Sequence, residues 1–116
     1  MSFDTSILDA AIIRRRAKQE RRRLALLNDV LRLLDHRAAQ FGIRRAYLFG
    51  SIIRPGHFGD LSDVDIGVEA LSPAQYCSAL AVFSTELGCK VDLVELDQCH
   101  FAAKVRREGV VWMPSA

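Results

Sequence analysis

The chain has 116 residues, half of them apolar and 26% charged, with a net charge of +2. That balance fits a single globular domain with one modest core and excludes a disordered tail or a fibre. The longest apolar runs, such as 79–83, are far too short for a bilayer, and the start Met1-Ser2-Phe3-Asp4 lacks a basic-then-apolar signal segment, so a cytoplasmic protein with no membrane partner is expected.

Charge is segregated along the chain. Arg14, Arg15, Arg16, Lys18, Arg21, Arg22 and Arg23 against Glu20 give +6, leaving −4 for the remainder. A solvated helix face is the first reading of such a block; nucleic acid, an acidic partner protein and nucleotide phosphates are the other readings. Residues 5–41 contain neither Gly nor Pro and predict a helix, with Ser6 and Asp9 in a capping arrangement at its start. Leu24, Leu27, Leu31, Leu34, Ala38 and Phe41 form an apolar stripe that should pack on a sheet, whereas Ile7, Leu8, Ala11 and Ile12 form a separate short stripe beyond the basic block. Residues 1–23 therefore read as a basic helical extension and 24–116 as the domain. One unbroken helix would be roughly 50 Å long, wider than such a domain, so it either kinks or projects its end toward another chain.

Gly42 should stop that helix, and residues 46–49 read as a short buried strand ending in Gly50-Ser51. Loop punctuation fills 52–62. Residues 63–69 alternate as a strand, with Val64, Ile66 and Val68 on one face and Asp63 and Asp65 on the other. Ser72-Pro73 opens a helix that Gly88 stops, a strand follows at 90–96, a short helix at 97–107, and Val110, Val111 and Trp112 suggest a last strand. Tyr47 and Tyr76 both fall on core-facing positions, where packing is the better reading. Cys77, Cys89 and Cys99 show no Cys-x-x-Cys spacing and read as idle or buried thiols, and neither they nor His100 are assigned a metal.

Two carboxylates at i and i+2 of a strand share a face and converge on a cation; their hardness favours Mg²⁺, whose shell a nucleoside triphosphate would complete. The pair is a common surface pattern, and its context strengthens it. Gly50 permits close backbone approach, and Ser51 is suited to cap a short helix whose free N–H groups bind phosphate. Asp92 interrupts an otherwise apolar strand, where an ionised carboxylate needs a partner or a metal, and is the natural third ligand; Glu95 points to the opposite face.

Gly50-Ser51, Arg54, Ser62-Asp63-Val64-Asp65-Ile66 and Val91-Asp92-Leu93, with the ending Arg107-Glu108-Gly109-Val110-Val111, occur in the order found in the minimal nucleotidyltransferases of the DNA polymerase β-like superfamily. Residues 43–113 resemble that family. The resemblance implies an α+β fold, with a mixed sheet carrying helices on one face and the active site on the other, preceded here by the long helical segment. It also implies a two-metal transfer of AMP from ATP, with Asp63 and Asp65 binding both Mg²⁺ ions and Asp92 binding the catalytic one and orienting the attacking hydroxyl. Gly50 and Ser51 would hold the terminal phosphates.

Arg54 is suited to reach a phosphate, with a surface ion pair to Asp60 as its equal alternative. The wording Arg54-Pro55-Gly56-His57 departs from the family's Arg-Gly pattern, which leaves the loop's shape open. Minimal members are often paired with a HEPN-type toxin, so the expectation is an antitoxin that adenylylates a hydroxyl, in particular a tyrosine, of that partner, the two forming a hetero-oligomer through the N-terminal helix. The competing expectation is an antitoxin that neutralises by binding alone. Nucleic-acid binding is less favoured, because the basic segment lacks interleaved aromatics.

Overall fold

The computed structural model describes residues 4–115. Seven elements follow one another in the expected order: α1 (Ser6–Phe41), β1 (Arg45–Phe49), β2 (Val64–Glu69), α2 (Tyr76–Leu87), β3 (Val91–Glu95), α3 (Ala102–Glu108) and β4 (Val110–Trp112). The strands form one sheet in the order β3-β2-β1-β4, with β2 and β3 parallel and the other two pairings antiparallel. The molecule is thus α+β with a mixed four-stranded sheet. Among the described residues no helix is long and apolar enough to cross a membrane.

Period-two alternation sorts the strands into two faces. Ala46, Leu48, Val64, Ile66, Val68, Val91 and Leu93 lie on one face and are buried under α1 and α2, together with Val30, Leu34 and Phe83. Asp65, Gly67 and Tyr47 belong to the other face. The expectation that helices cover one face alone needs correction. Tyr47 is buried with Leu96, Ala102 and Val105, so α3 and the 3₁₀ turn Leu96–Gln98 pack on part of the second face as well. Gly67 makes this second layer possible, because a Cβ there would lie 2.8 Å from the Leu96 side chain. Trp112 ties the last strand to α1 by donating its indole N–H to Asp35 at 2.8 Å.

Helix α1 settles the choice between kink and projection. It runs unbroken for 36 residues, and the molecule measures 64 × 27 × 27 Å, so the N-terminal part extends past the domain. Its first turn is held differently from expectation: the Asp4 carboxylate accepts the Ser6 N–H at 3.0 Å and Thr5 donates its hydroxyl to Asp9, while Ser6 caps nothing. At the other end Gly42 closes the helix in the left-handed conformation, as its position implied. Tyr47 and Tyr76 both pack as expected, Tyr76 donating its hydroxyl to the Leu93 carbonyl at 2.7 Å.

The buried stripe of α1 keeps Leu34, Ala38 and Phe41 of the expected row, with Leu27 and Leu31 packed at its margin, and turns away from Leu24 toward the N-terminus. Leu26, Val30, Leu33, Leu34, Ala38 and Phe41 are buried, whereas Leu24 is 49% exposed. The stripe continues backward to Arg23, whose side chain is buried and donates to the Ile52 carbonyl at 2.8 Å and to Glu20 at 3.0 Å. Arg23 therefore anchors the helix on the loop that leads to the candidate site, and the helix crosses residue 23 without a break. Replacing Arg23 with Met strands the buried Ile52 carbonyl and should cost about 2 kcal/mol, to be read from urea denaturation; an unchanged midpoint would reduce this contact to a surface pairing.

Candidate active site

Asp63, Asp65 and Asp92 lie where β1 ends and β2 and β3 begin. The parallel register sets Asp65 directly beside Asp92, and the antiparallel register sets Phe49 opposite Asp65. Asp63 lies one residue before β2, with the following amide, that of Val64, donating to the Lys90 carbonyl. Three carboxylates from two adjacent strands thus share one end of one sheet face. The next residue after β1, Gly50, is in the left-handed conformation (φ 76°), and a Cβ at that position would fall onto the Asp65 carboxylate. Gly50 is required here twice, by its backbone angle and by its contact with Asp65.

The electrostatics identify Asp65 as the central group. Burial raises its pKa to about 6, and the charges of Asp92 and Asp63, with a side-chain hydrogen bond to Asp92, push in the same direction. The sequence placed this desolvation at Asp92, and that assignment is corrected: Asp92 is exposed, and the half-buried Asp65 carries the penalty. The reason is position in the sheet, since β3 is an edge strand and β2 is flanked on both sides.

Asp63 is engaged by a residue that sequence reasoning missed. Lys90 Nζ stands 3.5 Å from its carboxylate, and among the described residues no three His, Cys, Asp or Glu side chains are drawn close enough together to hold an ion as they stand. The donor chemistry nevertheless suits a hard divalent cation. All three groups are oxygen donors, two are strand neighbours, and their mutual repulsion is what a dication would relieve. Release of Asp63 from Lys90, an exposed pairing worth little, is the adjustment such binding requires. Nothing in the one-dimensional pattern flagged Lys90; only the β2–β3 register brings it to Asp63.

The anticipated phosphate cradle takes a different form. Gly50–Ile53 is a 3₁₀ turn with Phe49 at its N-cap position, so Ser51 lies inside the turn and caps nothing. Arg54 follows the end of this turn rather than its start, donating its amide to the Ser51 carbonyl at 3.1 Å. It makes no pair with Asp60, which instead lies 3.8 Å from Arg15. Arg54 and Gly50 line a cleft of about 430 Å³ that also takes in Phe49, Phe101 and Lys104. Phe49 and Phe101 sit with ring centroids 6.1 Å apart. The cleft thus has two cationic side chains, two aromatic rings and the Glu108 carboxylate; it meets the aspartates through Gly50 and Phe49, the neighbours of Asp65, and α3, unassigned in the sequence, contributes part of its wall.

The loop between the turn and the carboxylates is fixed by the basic stretch in the middle of α1. Arg22 lies 5.5 Å from the Phe58 ring centre and its guanidinium donates to the Gly59 carbonyl at 3.4 Å, while Ser62 accepts the Gly59 amide at 2.9 Å. His57 is exposed and makes no side-chain hydrogen bond among the described residues. Comparison with protein-family models, with curated proteins and with solved structures finds no match to this chain.

Proposed function

We propose that this chain is a Mg²⁺-dependent nucleotidyltransferase of the polymerase β-like kind, transferring AMP from ATP to a hydroxyl of a partner protein. The observation that carries this reading is the Asp65–Asp92 pair in adjacent register, with Asp63 beside it and Gly50 in contact with Asp65. Asp63, Asp65 and Asp92 would hold the divalent ions, which when bound supply neutralisation of phosphate charge and a lowered pKa for the attacking hydroxyl. In the transfer, the hydroxyl oxygen bonds to the α-phosphorus, the bond to the β-phosphate oxygen breaks, and pyrophosphate leaves.

The chain's own residues divide the remaining work. Asp92, exposed at the sheet edge, is the carboxylate an incoming hydroxyl reaches first and is suited to take its proton. Asp65, half-buried on the inner strand β2 beside Gly50, is the more enclosed of the pair with Asp92 and so is suited to fix the position of the charge. Arg54 and Lys104, both lining the adjoining cleft, are suited to hold the phosphates and retain pyrophosphate until release. Both tyrosines of the chain are committed to packing, Tyr47 in the second core layer and Tyr76 to the Leu93 carbonyl, which favours an acceptor supplied from outside. A tyrosine of a HEPN-type toxin, with this chain as its antitoxin, is the acceptor we favour.

Two observations favour a second reading. The Lys90–Asp63 contact and the absence of a ready three-ligand cluster among the described residues suit an antitoxin that acts by binding alone. Intact-mass spectrometry separates the two. The chain and its co-expressed neighbouring protein are incubated with ATP and Mg²⁺, beside the Asp63→Ala variant. Transfer predicts one or more adenylyl units on the neighbour, lost in the variant while the complex persists; an unmodified neighbour in a stable complex would leave binding alone.

A further inference from the structure

The part of α1 that extends beyond the domain carries an unused face. Ile7, Leu8, Ala11, Ile12 and Arg15 follow one another at steps of one, three, one and three, the spacing of a single helical stripe, and Asp4, two residues ahead of the helix, precedes Ile7 by three. All six are exposed, with Ile7 at 83% and Leu8 at 61%; none of the four apolar ones belongs to either core layer, while Asp4 accepts the Ser6 amide and Arg15 keeps a 3.8 Å contact with Asp60. Where the stripe meets the body of the molecule, Leu61 of the loop stands out 97% exposed on the surface it shares with Arg15.

The stripe is complementary to itself when reversed. A second helix laid antiparallel, with its centre between Asp9 and Ala10, sets Ile7 against Ile12, Leu8 against Ala11 and Asp4 against Arg15, and the same three pairs recur on the other side of the two-fold axis. This is the isologous pattern a cyclic dimer needs. A parallel copy would instead stack Arg14, Arg15 and Arg16 on their own equivalents and oppose Asp4 to Asp4. Arg15 is available for the new pairing, because its contact with Asp60 is long, at 3.8 Å, and solvated on both sides. Since the domain starts only after the stripe, an antiparallel pair places the two domains at opposite ends.

We propose that the N-terminal stripe is a homodimerisation surface that takes a second copy of this chain in antiparallel orientation, with the Leu61 loop flanking each end. The inference is independent of the transferase reading. The contact is smaller than the roughly 1,600 Å² of a standard interface, so the dimer should be of micromolar stability and concentration-dependent.

Sedimentation velocity on the full chain across a concentration series tests this. The expected result is a reversible monomer–dimer equilibrium. Ile7→Glu should abolish it. Asp4→Arg should weaken it about tenfold, the effect of some 1.4 kcal/mol, and adding Arg15→Asp in the same chain should restore it. With Cys77, Cys89 and Cys99 changed to Ser, Ile7→Cys and Ile12→Cys chains should cross-link to each other when mixed and not to themselves. A monomer at every concentration overturns the proposal, as does a dimer indifferent to Ile7→Glu or an Ile7→Cys chain that links to itself. A monomer that shifts only with RNA or with an acidic protein would assign the helix to those partners instead. Circular dichroism of Ile7→Glu should match the wild type, since Ile7 is exposed, and Asp4→Arg should lose only the first-turn contact to the Ser6 amide; the cysteine-free chain, in which the part-buried Cys89 and Cys99 are changed, serves as its own reference.

Discussion

Asp65→Asn is expected to lower adenylyl transfer by about 10³-fold, the scale of losing a group that stabilises developing charge, and at the same time to make the protein more stable at neutral pH. The two effects have one origin. In the folded chain the Asp65 pKa is raised from 3.8 to about 6 by burial and by the neighbouring carboxylates. A raised carboxylate pKa means that the fold prefers the protonated form. The stability Asp65 contributes is therefore fully present below pH 3.8 and is lost as pH rises through about 6. Asparagine keeps the shape, removes the charge and should recover about 1 kcal/mol at neutral pH once the solvent screening of a half-exposed group is allowed for. Urea denaturation of both proteins at acid and at neutral pH reads the difference, which should vanish toward acid pH. A variant that retains transfer would remove Asp65 from the active site; a variant less stable at neutral pH would mark the carboxylate as a structural group.

The element order and the candidate carboxylates were legible in the sequence because each rests on a local signal. Gly42 and Gly88 end helices where a left-handed residue was required, and the alternation of Val64, Ile66 and Val68 fixed which face Asp65 shares. What was not legible depends on register between elements. The apolar stripe of α1 is legible at Leu34, Ala38 and Phe41 and drifts to one side before them, because a Leu-rich segment satisfies helical spacing in more than one way and the buried row begins with an arginine. Only the Ile52 carbonyl, 29 positions away, explains why Arg23 belongs to the buried row. Likewise Asp92 was read as the desolvated carboxylate from the apolar residues around it in β3. The sheet order puts β3 at the edge and β2 inside, which moves the penalty to Asp65. The Lys90–Asp63 contact and the part of α3 in the cleft are of the same kind, pairings that exist only once strands and helices are in place.

Gly50→Ala should be damaging, and its cost should depend on Asp65. Alanine in the left-handed conformation that Gly50 adopts costs about 1 kcal/mol. Its methyl group would also occupy the space of the Asp65 carboxylate, and crowding of this kind adds about 1–3 kcal/mol. Because the carboxylate is a short side chain between two strands, relief must come from moving Asp65 itself or the 3₁₀ turn that starts at Gly50. Either movement displaces a group that the transfer needs in place, and misplacement on that scale lowers rate by about 10²-fold. The double-mutant cycle isolates the contact. In an Asp65→Ala background the Gly50→Ala change should cost only the backbone share, about 1 kcal/mol, leaving a coupling of comparable size or larger between the two positions. Additive costs would mean that the turn yields without touching Asp65, and the glycine would then serve its backbone angle alone. A strong coupling would tie the 3₁₀ turn at Gly50 to the Asp65 carboxylate as one mechanical unit, so that a shift of the turn also shifts the Asp65 charge.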